Sequence, residues 1–161
     1  MAYVRKKMAS PVGELTLVAS EQGLAAILWQ DDNPDRVRLG AVRDEDDHAI
    51  LQETERQLGA YFSGDRKAFT VPLDFRGTDF QKMVWKALLT IPFGQTRSYG
   101  EIAHQIGKPS ASRAVGAANG KNPISIIAPC HRVIGSTGRL TGFAGGLVAK
   151  QALLDLEARA L

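Results

Sequence analysis

Cys130, the only cysteine in the chain, lies in the segment Pro129-Cys130-His131-Arg132 between two apolar runs. A thiol attacks as its thiolate, and a free cysteine has a pKa of about 8.5, so a nucleophilic cysteine needs a base or a positive charge nearby. His131 could supply the base, and Arg132 carries a positive charge. The apolar flanks indicate burial, and a buried structural cysteine needs neither an imidazole nor a guanidinium. The pattern therefore favours an activated nucleophile.

The alternative is an inert buried thiol, since free cysteine is among the most buried residue types. A lone cysteine also excludes an internal disulfide and a zinc site built from several cysteines, although not a site made of histidines and carboxylates. We therefore expect no metal and no cofactor. A single thiol fits a reducing compartment, and we expect a cytoplasmic protein.

The length of 161 residues suits one domain or two small domains packed together. No apolar run approaches the length of a membrane span. Arg5, Lys6 and Lys7 are not followed by an apolar segment, so the N-terminus does not have the pattern of a signal peptide. We expect no membrane contact and a monomer.

Charge is divided unevenly along the chain. Residues 1–76 carry ten Lys and Arg against thirteen Asp and Glu, whereas residues 77–161 carry ten against four. Between Phe80 and Lys150 the only acidic residue is Glu101. This excess favours a polyanionic partner for the second half, and a solvated basic face without a partner is the alternative.

The first half is predicted to be a scaffold. A turn at 10–13 precedes an alternating strand at 14–19, and a second strand at 25–29 completes a hairpin. An acidic run precedes a helix predicted over 48–62, and the segment 69–73 is expected to be extended. Nothing in this half has the pattern of a chemical site, so we expect residues 1–76 to be an N-terminal scaffold domain.

The second half, residues 77–161, is predicted to be mostly helical. An amphipathic helix begins at residue 78 or 79 and runs to about residue 90. Two short helices follow, and a turn that contains Gly107 joins them, as in a helix-turn-helix. The expected fold class is α/β (α+β), with a small N-terminal sheet-plus-helix domain packed on a mostly helical C-terminal domain that contains the helix-turn-helix.

The second of these short helices, predicted over 110–119, consists mainly of Ala, Gly and Ser. Arg113 is its one large residue. A helix with so little side-chain bulk could be packed tightly inside the protein or could approach a nucleic acid closely. Arg97, Lys108 and Lys121 lie nearby in the sequence and favour phosphate contact.

The remaining segments surround the cysteine. Residues 122–129 are expected to be extended, and residues 135–146 form a glycine-rich loop without a phosphate-loop pattern. The loop could close over a small flat ligand or could be a set of turns. Glu157, in a helix predicted over 147–158, is a candidate partner for an imidazole, although a Glu in a terminal helix is ordinarily a surface residue.

The six residues from Pro129 to Ile134 resemble the active-site signature of the O6-alkylguanine-DNA alkyltransferases, also called methylated-DNA–protein-cysteine methyltransferases. The resemblance spans Gly77 to about Glu157, and a weaker one covers residues 10–13 and 61–64. Further ordered matches are Phe80-Gln81 through Trp85, Ile91-Pro92-Phe93-Gly94, Ser98-Tyr99-Gly100-Glu101-Ile102-Ala103, Arg113-Ala114-Val115-Gly116, Asn119-Gly120-Lys121-Asn122-Pro123 and Gly142-Phe143-Ala144-Gly145-Gly146.

The resemblance implies direct-reversal DNA repair. Cys130 would take the alkyl group from O6 of a damaged guanine and keep it as a thioether, so that each molecule acts once. His131 would serve as base through a water, and Glu157 would orient the imidazole. Asn122 would brace the turn that carries the thiol, and Tyr99 would donate a proton to the departing guanine. Whether O4-alkylthymine is also a substrate stays open.

The resemblance also implies a partner, double-stranded DNA containing alkylated guanine. Arg113 would enter the base stack as the guanine flips out, and its helix would lie in the minor groove. Ser112 and Gly116 belong to the same DNA-facing helix. Lys108 and Lys121 would contact phosphates.

The pocket for the flipped base would be formed by Val133, Phe143 and Ala144. Many relatives carry Tyr where Phe143 stands, so this chain keeps the ring that can stack on a base and lacks the hydroxyl. Some relatives bind a structural zinc or carry an additional cysteine-rich domain, and the sequence of this chain supports neither.

Two other functions compete with dealkylation. A lesion-binding module without catalysis would not need Cys130. A Cys-His hydrolase would use the same dyad, but a helix-turn-helix and a basic second half disfavour it.

Overall fold

The first part of the chain builds a four-stranded sheet with one helix packed on it, in a computed structural model that describes residues 2–161. The order across the sheet is β3-β2-β1-β4; β1 and β3 are antiparallel to β2, and β4 is parallel to β1. The strands are β1 (Tyr3–Met8), β2 (Leu15–Ala19), β3 (Leu24–Trp29) and β4 (Val42–Asp44).

The predicted hairpin is confirmed as β2 and β3. Strand β1 was not predicted, because its basic run obscures the apolar residues Val4 and Met8, which are buried on the core side. Helix α1 (Ala49–Phe62) lies one residue inside its predicted range and packs on β1, β2 and β3. Leu51 and Leu58 carry its apolar face into the core.

The second part of the chain is built around three helices, α2 (Asp79–Leu88), α3 (Tyr99–Gln105) and α4 (Ser112–Gly120). Capping boxes set the starts of the first two. Thr78 and Gln81 cap α2, and Ser98 and Glu101 cap α3, so each side chain satisfies the other residue's backbone N–H. Helices α3 and α4 form the predicted helix-turn-helix and pack on each other and on α2.

The chain ends in α5 (Leu147–Arg159), close to its predicted range. A short parallel pair, β5 (Arg97–Ser98) and β6 (Val133–Ile134), links the start of α3 to the residues that follow Cys130. The fold is mixed α+β, as expected, with a small sheet and helix beside a mostly helical part. Among residues 2–161, no helix combines the length and the apolar character that a membrane span requires.

The segment 122–129 differs from the extended run that the sequence predicts. It forms turns, is buried, and contains Ile126 with a φ of 75°. A β-branched residue rarely adopts this left-handed conformation, and buried packing holds it there because Ile126 is 0 % exposed. The sheet borders the segment, since the Ile27 amide donates to the Pro123 carbonyl at 2.9 Å and Trp29 Nε1 donates to Ser125 Oγ at 3.1 Å.

Two neighbouring leucines test how far burial in the helical part controls stability. Leu88 is 0 % exposed and Leu89 is 44 % exposed. We expect Leu88→Ala to lower the free energy of unfolding by about 2–5 kcal/mol, because it removes buried apolar contacts and leaves a cavity. Leu89→Ala, the same change at the surface, should cost less than about 1 kcal/mol. Urea unfolding measures both, and equal losses would contradict this account of the core.

Candidate active site

Cys130 begins a one-turn 3-10 helix, Cys130–Arg132, and is 4 % exposed. Asn122 holds the turn that leads to it. Its Nδ2 donates to the Ala128 carbonyl at 2.8 Å, and its Oδ1 accepts from the Ile124 amide at 3.1 Å. Both ends of the Asn122 amide are therefore hydrogen-bonded within the buried segment. These bonds fix the conformation of the turn that leads to Cys130.

Burial raises the pKa of the Cys130 thiol above its ordinary value. The Asn122 amide and the positive charges of Arg36 and Lys150 oppose this rise but do not cancel it. The thiol is protonated at neutral pH as a result, and attack on an electrophile requires a group that accepts its proton.

Glu157 is the centre of a buried hydrogen-bond network. Its Oε2 accepts from Tyr61 OH at 2.6 Å, from His131 Nε2 at 2.7 Å and from Arg132 Nη2 at 3.0 Å. Its Oε1 accepts from Arg132 Nε at 2.8 Å and from the Gly94 amide at 3.1 Å. Glu157 is 1 % exposed, so it is not the surface residue that its place in a terminal helix suggests.

These donors determine the charge on Glu157. Burial alone would raise the pKa of this carboxyl, but the hydrogen bonds from His131, Arg132 and Tyr61 outweigh it and hold the pKa well below its usual range. Glu157 is therefore a carboxylate at neutral pH. It stabilises an imidazolium without taking the proton itself.

The carboxylate also sets the tautomer of His131. Because Nε2 donates to Glu157, the proton of the neutral ring lies on Nε2 and Nδ1 carries a free lone pair. Nδ1 is buried and has no hydrogen-bond partner among residues 2–161. Burial lowers the pKa of His131, and the charges of Arg132 and Lys150 add to this, so the ring is neutral at pH 7. A neutral imidazole with a free Nδ1, one residue from a protonated thiol, can act as its base.

Tyr99 lies at the first position of α3, and its hydroxyl is hydrogen-bonded to Thr141 Oγ1 in the glycine-rich loop. Gly116 on α4 lies beside the Tyr99 ring, because a Cβ built on it would be 3.7 Å from the ring. The parallel pair β5–β6, which ends one residue before Tyr99, pairs Arg97 with Val133 and Ser98 with Ile134. The start of the helix-turn-helix therefore lies beside the residues that follow Cys130.

The candidate base pocket is supported by the sheet. Phe143 contacts Trp29 edge-to-face, with ring centroids 5.3 Å apart. Gly145 lies flat on the same indole, where a Cβ would come within 2.6 Å of the ring and only glycine fits. Ala144, between them, is half-buried. The Val133 carbonyl accepts from the buried Lys150 Nζ at 2.7 Å.

The proposed DNA-facing residues form an open surface. Val115 and Ala118 of α4 are buried, whereas Arg113, Ala114 and Ala117 are exposed. The sequence allowed this small-residue helix to be packed inside the protein or to be open to a nucleic acid. In the structure one face of the helix is packed inside and the opposite face is exposed. Ser112 is half-buried at its start. Lys108 and Lys121 are exposed, before α4 and after it.

The sequence indicates Arg132 as a positive charge near the thiol, whereas the structure makes it the buried counter-charge of Glu157. Two further functional candidates, Tyr61 and Lys150, were missed in the sequence. Tyr61 gives no such signal, because its position on the apolar face of α1 predicts a core residue. Lys150 resembles any surface lysine of a helix, yet it is 0 % exposed. In residues 2–161, no group of three or more His, Cys, Asp or Glu side chains is arranged to hold a metal ion.

Two family models match the chain. Residues 79–159 match the model described as 6-O-methylguanine DNA methyltransferase, DNA binding domain. Residues 3–75 match the model described as 6-O-methylguanine DNA methyltransferase, ribonuclease-like domain. Together the two matches cover most of the sequence.

Curated relatives and a solved structure are similar over nearly the whole chain. A Mycolicibacterium paratuberculosis protein named methylated-DNA–protein-cysteine methyltransferase is 53 % identical over 150 residues, which are 93 % of this chain and 89 % of the relative. A Methanosarcina acetivorans protein of the same name is 51 % identical over 149 residues, 92 % of this chain and 94 % of the relative. The crystal structure of Mycobacterium tuberculosis OGT in complex with DNA has a TM-score of 0.88 at 50 % identity, covering 99 % of this chain and 94 % of that one.

The network around Glu157 predicts a cost in stability when its charge is removed. In Glu157→Gln the Arg132 guanidinium stays buried without an anion, and we expect the free energy of unfolding to fall by about 3–5 kcal/mol. Asp155→Asn is the matched control, since Asp155 is exposed on the same helix and its carboxylate accepts from Gln151. That change should cost less than about 1 kcal/mol in urea unfolding. A Glu157→Gln protein as stable as the control would mean that Arg132 does not depend on the carboxylate.

Proposed function

Because the chain belongs to the 6-O-methylguanine DNA methyltransferase family, we propose that Cys130 is the residue that accepts the alkyl group and that His131 and Glu157 activate its thiol. The activity is direct-reversal DNA repair, in which an alkyl group passes from O6 of guanine in DNA to a cysteine of the protein. The protein is therefore a transferase that is consumed by its own reaction. The free Nδ1 of His131, the residue that follows Cys130 in the chain, carries the assignment.

The proposed reaction begins with removal of the thiol proton. In the proposed step the proton passes from Sγ through one water to His131 Nδ1, which is free of hydrogen-bond partners within residues 2–161. The imidazolium that forms is stabilised by the Glu157 carboxylate at 2.7 Å from Nε2. The buried thiolate forms only as the His131 imidazolium forms beside the Glu157 carboxylate. Removal of the thiol proton is therefore coupled to attack on the substrate.

Sγ then attacks the alkyl carbon, and the bond between that carbon and O6 breaks. Its electron pair stays on the guanine, and Tyr99 donates a proton to the ring as the base departs. The thiol proton held by His131 then returns through solvent to the Tyr99 oxygen, so that the net change moves one proton from Cys130 to guanine. The thioether on Cys130 has no route back to a thiol, so one molecule repairs one lesion. Asn122 braces the turn beneath the thiol throughout.

The base reaches the thiol by leaving the duplex. Arg113 projects from the exposed small-residue face of α4 and takes the place of the extruded guanine in the stack. Ser112 and Gly116 lie on the same helix, which docks in the minor groove. Phe143 stacks on the flipped base, and the backbone at Val133 and Ala144 holds its edge. Lys108 and Lys121 contact phosphates on either side.

We further propose a division of labour along the chain. Residues 1–76 act as a scaffold domain, and residues 77–161 bind DNA and carry out transfer, in keeping with the uneven charge. The protein acts as a monomer in the cytoplasm, where a reducing environment keeps its one thiol free. A binding module without catalysis is the second candidate function, and the presence of Cys130 with a base beside it argues against it.

The acceptor role predicts a separation of binding from transfer. Cys130→Ser should abolish methyl transfer from O6-methylguanine in duplex DNA, because a hydroxyl is a far weaker nucleophile near neutral pH. Affinity for the same duplex should stay within a few fold, since the phosphate contacts lie elsewhere. Mass spectrometry of the peptide that contains residue 130 and a titration with labelled duplex measure the two properties. A methyl group on another residue of the unaltered protein would exclude Cys130 as acceptor.

The role of Arg113 predicts a dependence on the form of the substrate. Arg113→Ala should slow single-turnover repair of duplex DNA at least tenfold, since flipping costs a few kcal/mol that an inserted side chain offsets. The rate with free O6-benzylguanine should change little, because a free base needs no extrusion.

Lys108→Ala is the control for Arg113→Ala, because it also removes one positive charge near α4. It should weaken duplex binding and flatten its salt dependence, while leaving the transfer rate of bound DNA unchanged. A proportional fall of the Arg113→Ala rates on duplex and on free base would leave Arg113 without an extrusion role.

A further inference from the structure

Tyr61 reaches the Glu157 carboxylate from outside the helical part of the fold. It lies near the end of α1, and 96 residues separate it from Glu157 in the chain. Its hydroxyl nevertheless donates to Oε2 at 2.6 Å, the shortest hydrogen bond that this carboxylate accepts. A residue of the presumed scaffold thus belongs to the same network as His131.

The ring of Tyr61 is held independently of its hydroxyl. Three aromatic rings surround it, those of Phe62, Phe69 and Phe93, with centroids 5.4, 5.5 and 6.1 Å away. Tyr61 is 0 % exposed. Loss of the hydroxyl alone therefore leaves the packing intact and removes one donor from Glu157.

That donor competes with the catalytic histidine for one oxygen atom. Oε2 accepts from Tyr61 OH, from His131 Nε2 and from Arg132 Nη2. Each added donor draws electron density from the carboxylate and weakens its hold on an imidazolium, so the strength of the Tyr61 hydrogen bond sets how basic His131 can be. Burial raises the pKa of Tyr61 far above its ordinary value, so this residue stays a neutral donor.

We infer that Tyr61 is a positioning residue of the transfer reaction, supplied by the first part of the chain, which holds Glu157 and tunes His131 through it. The inference rests on the proposed role of His131 as base. Tyr61 does not touch the thiol or the DNA base. Its effect is to keep the imidazole neutral over the working pH range and its Nδ1 free to take a proton.

The other charged groups near His131 are fixed in this comparison. Arg132 and Cys130 belong to its own segment, and Glu157 and Lys150 face it from α5. Arg132 and Lys150 oppose protonation of the ring, and Glu157 favours it. The segment before α3 adds only the uncharged Gly94 amide, and α1 adds only the Tyr61 hydroxyl. A change at Tyr61 therefore alters one donor and no charge.

The test measures His131 directly and without DNA. In Tyr61→Phe, ¹⁵N NMR of the His131 ring should report an imidazolium pKa about 0.5 to 1 higher than in the parent protein, because Glu157 loses a competing donor. The pH at which the single-turnover rate falls to half should rise by the same amount, since a protonated ring accepts no proton. Replacing Tyr61 with 3-fluorotyrosine, whose hydroxyl is a stronger donor, should move both values downward.

Tyr3→Phe is the matched control. It removes the same hydroxyl from β1 without touching the network, and both readouts should match the parent. An unchanged His131 pKa in Tyr61→Phe, or shifts of the same sign in the phenylalanine and fluorotyrosine proteins, would overturn the inference. The fluorotyrosine protein keeps every native atom except one ring hydrogen, so it decides the matter even where Tyr61→Phe does not fold. If the pKa of His131 shifts as expected but the parent protein transfers no methyl group, the result would support the effect of Tyr61 on His131 and refute the proposed function instead.

Discussion

The site depends on one buried carboxylate. Glu157 is an anion in the protein interior, and five hydrogen bonds from four residues offset the cost of removing it from water. Those donors come from α1, from the turn before α3 and from the 3-10 helix of the thiol. Each of these elements must be in place for the charge to be tolerated. The arrangement therefore ties the geometry of His131 to the assembly of the whole molecule.

Burial of the thiol has a chemical consequence as well as a structural one. A cysteine with a raised pKa does not react as a free thiolate with whatever electrophile arrives. In the reaction we propose, it reacts when a base takes its proton at the moment of attack, and the neutral His131 is that base. Selectivity for a substrate that enters the pocket follows from the same burial that makes the resting thiol inert.

The sheet contributes to the site without carrying its chemistry. Trp29 packs against both Phe143 and Gly145 and donates to Ser125, so one indole positions the glycine-rich loop and the turned segment beneath Cys130. Arg36 Nη1 donates to the Asn122 carbonyl, next to the amide that braces the thiol turn. The first part of the chain is thus more than the inert scaffold that its lack of motifs suggests.

The sequence by itself determined the features that depend on residues close together in the chain. Capping boxes involve positions three apart, and the helix faces repeat every three or four residues, so α1 to α5 and the helix-turn-helix could be predicted. The thiol and its base are adjacent, so Cys130 and His131 could be identified from a six-residue motif. The family resemblance implied Glu157, 26 residues away, as the partner of His131, and the tertiary structure shows that the two meet. Only the tertiary structure decided which other distant groups join them, because Tyr61 and Lys150 look like ordinary core and surface residues in the sequence, yet both are buried beside the site. The turn at 122–129 was equally unpredictable, because the left-handed Ile126 is maintained by packing from the sheet and not by any local preference of its sequence.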